Sequence, residues 1–259
     1  ISILIVQGIK VSKYQGIKDN INQILFRVRL RYNNSFKLLD NNIMKLVYFN
    51  GRGFAETSRL IFAYMNVDYE DFRFPLQIKD WATHDMVKEE FDTAKANGEL
   101  KASLHKVPFL EVEGRVICQS KAIERYLARK FGMMGQTDLE SALIDSICEV
   151  VRDIKDMYQK VRRLPEAEKE AGMKKWFQET MPRKLEDLEY ILAGNGYSVA
   201  TQTSLADIVL FSLITQFFDD KISALETMNT TPKLKSIVSR ISTNVNILKW
   251  LETRPKTDF

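Results

Sequence analysis

Hydrophobic and polar positions follow two different periods along this chain, and the change of period divides it in two. From residue 44 to about 131, short apolar runs of strand length alternate with segments of helical spacing. The pattern predicts strands at 45–49, 69–74, 107–112 and 115–117, helices at 55–65 and 121–130, and a polar, partly helical stretch at 80–104. The predicted order is βαβ, a variable helix, then ββα, which is typical of an α/β thioredoxin-like domain.

The remainder of the chain has helical periodicity only. After a linker at 132–135, a long helix carries an apolar stripe, and a second helix from about 165 to 192 has Pro182 as its expected kink. Ser204 and Asp207 have the spacing of a capping box, and two shorter helices follow Pro232. The predicted stripe consists of Leu139, Leu143, Ile147, Val150, Val151, Ile154 and Tyr158. We therefore expect an α/β domain over 44–131 followed by an all-α domain over 136–259.

Residues 1–43 have no clear period and are rich in Asn and Ile. Their basic character and low content of acidic residues leave a targeting peptide open, although Ser and Ala are scarce and no cleavage signal stands out. We interpret the segment as an extension outside the folded domains, disordered or non-native, with Met44 as the natural start of the fold.

Composition excludes several classes of protein. The chain has 259 residues, of which 45% are apolar and 28% charged, and its net charge is +4, which excludes a wholly disordered chain. The most apolar stretch, 206–218, is too short to span a membrane and is interrupted by polar residues. Residues 1–43 hold seven basic and two acidic side chains, so the rest of the chain is close to neutral. No nucleic-acid or membrane partner is expected.

Cysteine and histidine are too scarce for a metal centre. Cys118 and Cys148 lie thirty residues apart, and His84 and His105 are the only histidines. A structural zinc site needs about four clustered ligands, and no C-x-x-C motif is present. Two lone cysteines indicate a reducing compartment, so we expect a cytoplasmic protein without metal. A catalytic Cys–His pair has no local context to support it.

Three short features could carry chemistry. Tyr48 ends the first strand, where a redox thioredoxin would have its cysteines, and its neutral phenol can donate a hydrogen bond. Pro108 opens the third strand, and composition alone predicts a trans peptide bond before it. Gln119 and Ser120 precede a helix, where they either cap its first turn or present its free N–H groups to a carboxylate. Taken alone, a strand tyrosine and a polar pair before a helix are more often structural than functional.

Together with other motifs, these features resemble the cytosolic glutathione S-transferases. The resemblance covers 44–259 and is greatest to the sigma class, which includes the haematopoietic prostaglandin D synthases. The motifs, in order, are Tyr48-Phe-Asn-Gly-Arg-Gly53, Trp81, Lys106-Val-Pro108, Glu111-Val-Glu-Gly114, Gln119-Ser120 with the helix to Leu127, Ser204-Leu-Ala-Asp207 and Arg254-Pro-Lys-Thr-Asp-Phe259. Residues 1–43 have no counterpart in the family.

The resemblance implies roles for individual residues. Tyr48 would donate its O–H to the sulfur of glutathione and so favour the thiolate. The glutathione-binding residues would be Trp81, Lys88, Lys106, Val107, Pro108, Gln119, Ser120 and Asp153. Glutathione would be a co-substrate, with no cofactor and no metal. In the family the proline that matches Pro108 follows a cis bond, and the aspartate that matches Asp153 reaches the partner's glutathione in a homodimer.

The second substrate is expected to be a hydrophobic electrophile. Phe49, Phe54, Met157 and Phe259 are candidates to line its pocket, although ordinary core positions explain each of them equally well. Phe54 and Lys160 differ from prostaglandin D synthase, which has Arg and Trp there, and Arg152 interrupts its metal-activating acidic cluster. These departures favour a detoxifying transferase. A glutathione-dependent peroxidase, a prostaglandin-type isomerase and a non-catalytic crystallin or ligand carrier remain alternatives.

Overall fold

The computed structural model describes residues 43–80 and 85–257, and its first half is an α/β domain. The strands are β1 Lys45–Phe49, β2 Glu70–Phe74, β3 Gln77–Asp80, β4 Asp85–Val87, β5 Phe109–Val112 and β6 Arg115–Cys118, and the helices are α1 Glu56–Met65, α2 Glu89–Ala96 and α3 Ser120–Lys130. The predicted βαβ and ββα units are confirmed, as is a helix in the polar stretch between them. The short β3–β4 hairpin was not predicted. The expectations for residues 1–42 lie outside the described residues, and the proposed domain limits stay predictions.

The regular elements described in the second half are all helices, as predicted. Its elements are α4 Asp138–Arg162, α5 Glu166–Lys175, a π-helical segment Trp176–Thr180, α6 Met181–Ile191, α7 Leu205–Ser212, a second π-helical segment Leu213–Phe217, α8 Lys221–Glu226, α9 Pro232–Ser242 and α10 Val245–Thr253. Only the short α8 was not predicted. Within the described ranges, no helix combines the length and the apolarity needed to cross a membrane.

Four strands form one sheet in the order β2-β1-β5-β6, in which β1 is parallel to β2 and antiparallel to β5. Successive side chains of a strand point to opposite faces, so β1 contributes to two separate cores. Leu46 and Tyr48 join the large core with α1, α3 and the helical half. Val47 joins a smaller core with Phe74 and with Phe91 of α2. The face that carries Tyr48 is therefore the face covered by the helical half.

The predicted apolar stripe of the long helix α4 is correct over most of its length but wrong at its start. Ile147, Val151 and Ile154 are buried as predicted. Leu139 and Leu143 are exposed by 69% and 47%, respectively. The first turns of α4 carry them away from the core, which the buried Ile144 meets instead.

At the position of the kink predicted at Pro182, the structure has a π-helical segment directly before the proline. Proline has no N–H and its ring collides with the carbonyl four residues earlier, here that of Gln178. Gln178 lies within the segment Trp176–Thr180, where the helix widens to i→i+5 spacing. The helical path from 166 to 191 thus continues across the proline.

The predicted capping box at the start of α7 is confirmed, and it is part of a larger buried cluster. Asp207 is fully buried and accepts hydrogen bonds from the backbone N–H and hydroxyl groups of Ser198 and Ser204. Arg240 of α9 donates to its Oδ1 at 2.7 Å. One carboxylate therefore joins the loop before α7 to α9.

Replacing this carboxylate should destabilise the fold strongly. Asp207→Ala leaves several buried donors without an acceptor, so we expect the free energy of unfolding in urea to fall by roughly 3–5 kcal/mol. Asp220 caps the short α8 at the surface, where it accepts from Ser223 and from the Ile222 N–H, so Asp220→Ala should lose about 1 kcal/mol. Equal losses for the two variants would contradict the role given to Asp207.

Candidate functional site

The sheet topology brings the main predicted site residues to one end of the sheet, where β1 and β6 end and β5 begins. This end of the strands is called the sheet edge below. Tyr48 lies near the carboxyl end of β1, Val107 and Pro108 precede β5, and Gln119 and Ser120 follow β6. Because β5 is antiparallel to both of its neighbours, its amino end lies beside the carboxyl ends of β1 and β6. Residues 107 and 108 therefore lie between Tyr48 and the start of α3.

Tyr48 is held as a hydrogen-bond donor. Its ring is 9% exposed, and its hydroxyl oxygen accepts the Phe54 N–H at 3.3 Å. Burial raises the pKa of the phenol, while the hydrogen bond from Phe54 and the charge of Arg59 act in the opposite direction. The hydroxyl group therefore keeps its proton at neutral pH, and it can donate that proton to an acceptor outside the turn.

The turn after β1 fits closely around this hydroxyl group. A Cβ atom on Gly53 would lie 2.5 Å from the Tyr48 oxygen, and Gly53 has a φ of +37°, a conformation that favours glycine. The Arg59 side chain donates to the carbonyl of Gly51 at 2.5 Å, and the Asn50 N–H donates to Phe74 O at 2.8 Å. The turn is thus anchored at Asn50 and Gly51, directly after β1.

The peptide bond between Val107 and Pro108 is cis, which confirms the prediction made from the resemblance. Val107 is half-buried and Pro108 is buried. The register pairs Val47 with Phe109, so Val107 extends past the paired residues of β1 toward the open edge.

Gln119 and Ser120 place two polar side chains at the start of α3. Gln119 has a φ of +75° and a ψ of +117°, a region that is costly for a residue with a side chain. Its carbonyl oxygen accepts the N–H groups of Ala122 and Ile123, whereas neither the Gln119 amide nor the Ser120 hydroxyl bonds to a described residue. The first turn of α3 contains no acidic residue. This helix end therefore has donors available for an anion.

The two predicted lysines differ in their surroundings. Lys106 is exposed, directly before Val107, and forms no ion pair within the described part of the chain. Lys88 precedes α2, where its ammonium group pairs with Asp92 at 2.5 Å and lies 5.2 Å from the centre of the Phe91 ring. Of the two lysines, Lys106 is therefore the one whose ammonium group is not already engaged in an ion pair with a described residue. Trp81 lies outside the described residues.

The candidates for the second-substrate pocket are not all brought together. Phe54 is 65% exposed and adjoins the Tyr48 hydroxyl group through its backbone. Phe49 packs against Phe91, 5.0 Å between ring centres, on the α2 side of the sheet. Met157 is half-buried against the large core, and Phe259 lies outside the described residues. This placement favours the core interpretation of Phe49 and leaves Phe54 beside the phenol.

Asp153 lies on the exposed side of α4. Its side chain is 68% exposed, and its closest charged partner is Arg152, 3.7 Å away. The carboxylate is therefore open to a second molecule. No group of three or more metal-ligating side chains occurs in the described ranges.

Two residues that position Tyr48 were not predicted from the sequence. Gly53 leaves no room for a Cβ atom beside the Tyr48 hydroxyl group, and Arg59 Cζ lies 5.9 Å from the centre of the Tyr48 ring. The signal for Arg59 was present as a charged residue directly before the apolar run 60–63, three residues after Glu56. An i,i+3 pair of opposite charges on an otherwise buried helix indicates a buried ion pair.

Family models match most of the described chain. Residues 44–129 match "Glutathione S-transferase, N-terminal domain", and residues 152–254 match "Glutathione S-transferase, C-terminal domain". The hematopoietic prostaglandin D synthase of Gallus gallus is 34% identical over 220 residues, which are 82% of this chain and 97% of that protein. S-crystallin SL11 of Nototodarus sloanii is 29% identical, over 83% of this chain and 98% of that protein.

Solved structures agree with the sequence comparisons. A monomeric glutathione S-transferase, Na-GST-3 of Necator americanus, superimposes with a TM-score of 0.71 at 28% identity, covering 84% of this chain and 100% of that one. A sigma class glutathione S-transferase of Fasciola hepatica gives a TM-score of 0.67 at 29% identity, covering 85% and 100%.

The close fit of Gly53 against Tyr48 can be tested by adding one methyl group. In Gly53→Ala the new Cβ must displace the phenol, whereas Gly132, at φ +71°, has no atom within 4 Å of the same position. We expect Gly53→Ala to lower the free energy of unfolding by about 1–3 kcal/mol more than Gly132→Ala, measured in urea. Equal losses of unfolding free energy in the two variants would show that the Tyr48 ring moves aside at no cost in stability.

Proposed function

The chain belongs to the glutathione S-transferase family, and on that premise we propose that it is a transferase in which Tyr48 activates the thiol of glutathione. The single observation that supports this most is the state of the Tyr48 hydroxyl group. It accepts one hydrogen bond from Phe54 and keeps its own proton for an external acceptor at the sheet edge. The pKa of the phenol is raised by burial, so the group acts as a donor and not as a base.

An extended tripeptide fits the length of this edge. Neighbouring strands are about 4.8 Å apart, so the path from β1 across β5 to β6 is roughly 10 Å. Three extended residues cover about the same distance. On this proposal the cysteinyl part of glutathione pairs with the backbone of Val107, as a strand pairs with a sheet edge. The γ-glutamyl carboxylate lies at the start of α3 with Gln119 and Ser120.

The glycyl end of glutathione would lie on the β2 side of the sheet. Lys106, directly before Val107, is an exposed cation that needs no rearrangement to meet a carboxylate. Trp81 remains the proposed second contact. Lys88 is the weaker candidate, because it would first have to leave Asp92.

The chemistry requires a thiolate near neutral pH. A free thiol has a pKa of about 8.5, and a decrease of two units corresponds to roughly 2.7 kcal/mol of preference for the charged form. A neutral phenol that donates to sulfur favours that form. The thiolate then attacks an electrophilic carbon, a sulfur–carbon bond forms, and the leaving group departs with its bonding electron pair. A hydrophobic electrophile is proposed because Phe54, next to the phenol, presents an exposed aromatic ring.

Two other functions have a specific observation in their favour. The S-crystallin relative favours a non-catalytic carrier on the same fold, and the prostaglandin D synthase relative favours an isomerase. Phe54, Lys160 and Arg152 depart from the synthase pattern given above. An aryl halide, a lipid hydroperoxide and prostaglandin H₂, each supplied with glutathione, separate the transferase, peroxidase and isomerase activities.

We propose a homodimer because of where Asp153 lies. Its exposed carboxylate on α4 is free to reach the glutathione of a partner subunit. The structurally similar Na-GST-3 is described as monomeric, so the family does not decide this point.

Removing one oxygen atom tests the proposed role of Tyr48. Tyr48→Phe should lower kcat for an aryl halide by about a hundredfold, because the donor to the thiolate is lost. The Kd of glutathione, measured by calorimetry, should change by less than about threefold. Tyr190→Phe removes a phenol that is 88% exposed and should leave both values unchanged. Unchanged turnover in Tyr48→Phe contradicts the role given to Tyr48. Glutathione binding without any turnover in the wild type favours the carrier.

The proposed dimer can be tested by substituting aspartates on α4. In a dimer, Asp153→Ala should weaken glutathione binding by about fivefold, because a charge-assisted hydrogen bond to the ligand is lost. Asp156→Ala removes another exposed carboxylate of the same helix and should leave binding unchanged. Analytical ultracentrifugation gives the oligomeric state of both variants. A monomeric wild type, or equal effects of the two substitutions, contradicts the proposal.

A further inference from the structure

A buried arginine lies directly behind Tyr48. Arg59 of α1 is 0% exposed, and its helix neighbours Leu60 and Ile61 are equally buried. A guanidinium group keeps its charge in any protein, so its burial is costly unless anions and acceptors surround it. The contacts of Arg59 are therefore informative about what this charge does.

Three groups hold the guanidinium. Its Nε donates to Asp71 Oδ1 at 3.1 Å, and its Nη1 donates to the carbonyl of Gly51 at 2.5 Å. Its Nη1 also lies 3.6 Å from Glu56 Oε2. Its Nη2 is buried and meets no acceptor in the described part of the chain.

The same guanidinium meets the proposed catalytic residue. Its Cζ atom lies 5.9 Å from the centre of the Tyr48 ring, within the range of a cation–π contact. Its contact with Gly51 fixes the turn that leads to Gly53 and Phe54, which bound the Tyr48 hydroxyl group. Arg59 thus acts on Tyr48 through its ring and through the turn around its oxygen.

We propose that Arg59 is a positioning residue for the transfer reaction, which fixes the turn 50–54 around the Tyr48 hydroxyl group and supplies a positive charge beneath its ring. The inference rests on the proposed function, because it needs Tyr48 to be the donor to sulfur. The direction in which Arg59 acts on the pKa of Tyr48, opposite to burial, agrees with this role.

The charge near Tyr48 is set by groups on several elements. The titratable and charged residues around Arg59 are Glu56 on α1, Tyr69, Asp71 and Arg73 at β2, and Arg254 after α10. Asp71 also pairs with Arg73 at 2.7 Å. Neutralising Asp71 therefore removes a negative charge from beside Arg59 and Arg73, whereas neutralising Arg59 removes a positive charge.

Two substitutions should therefore move the same titration in opposite directions. Arg59→Gln removes positive charge, so the pKa of the bound glutathione thiol should rise by about half a pH unit. Asp71→Asn removes negative charge, so that pKa should fall by a similar amount, about half a pH unit. The measurement is the ultraviolet absorbance of the thiolate in the glutathione complex as a function of pH. In both variants kcat for an aryl halide should fall, about tenfold in Arg59→Gln, with a smaller change in the KM for glutathione.

A matched arginine serves as the control for stability. Arg240 also pairs with a buried carboxylate and donates to a backbone carbonyl, those of Asp207 and Gly196, but it belongs to the helical half. Arg240→Gln should lower the free energy of unfolding without moving the thiol titration or kcat. If Arg59→Gln does not fold, Asp71→Asn, which keeps the guanidinium, still provides the test.

The outcomes separate this inference from the function on which it rests. Opposite shifts in the two variants, with none in Arg240→Gln, support the positioning role. No shift in Asp71→Asn, or shifts of the same sign in both variants, overturns it. If Tyr48→Phe retains full turnover in the same assay, the proposed function itself fails.

Discussion

The structure around the sheet edge depends on one buried charge, the guanidinium group of Arg59. In an apolar interior this charge must be surrounded by acceptors, and the acceptors come from separate parts of the chain. Asp71 is contributed by β2, Gly51 by the turn after β1, and Glu56 by α1 itself. Glu56 also accepts from Trp250 and Arg254, so the same cluster joins the end of the helical half to the α/β half. The surface pair of Lys88 and Asp92 carries no comparable constraint.

Successive side chains of β1 point to opposite faces of the sheet, and this alternation determines which of them can reach the proposed site. Tyr48 faces the helical half, while Val47 and Phe49 lie toward α2. On the proposed function, a second-substrate pocket that touches the phenol would lie on the face covered by the helical half. The small core under α2 has a different role, because it fixes the far side of the sheet and leaves the edge at 107–120 free.

The regular elements followed from the sequence, because their patterns are local. Strands β1 and β2 and the helix after Gln119 were predicted within one or two residues, two helices were predicted after Pro232, and Ser204 and Asp207 were recognised as a cap from their spacing. The β3–β4 hairpin was missed, because its strands are short, polar and without alternation. Leu139 and Leu143 were misplaced, since an apolar stripe does not reveal where the core beneath a long helix begins. The cis bond before Pro108 came only from resemblance, as local composition favours trans.

Binding and activation depend on separate sets of contacts in the proposed site. The groups assigned to hold glutathione are the backbone at Val107 and the start of α3, which are fixed by the sheet and by the backbone of Gln119. The group assigned to activate it is fixed by Gly53 and Arg59. A chain of this family could therefore lose activation while Tyr48 stays in place, through a change at Gly53 or Arg59, and still bind the tripeptide. The presence of the tyrosine alone does not distinguish a transferase from a crystallin-like carrier on this fold, whereas the tyrosine together with the glycine and the arginine that position it makes a stronger case for catalysis.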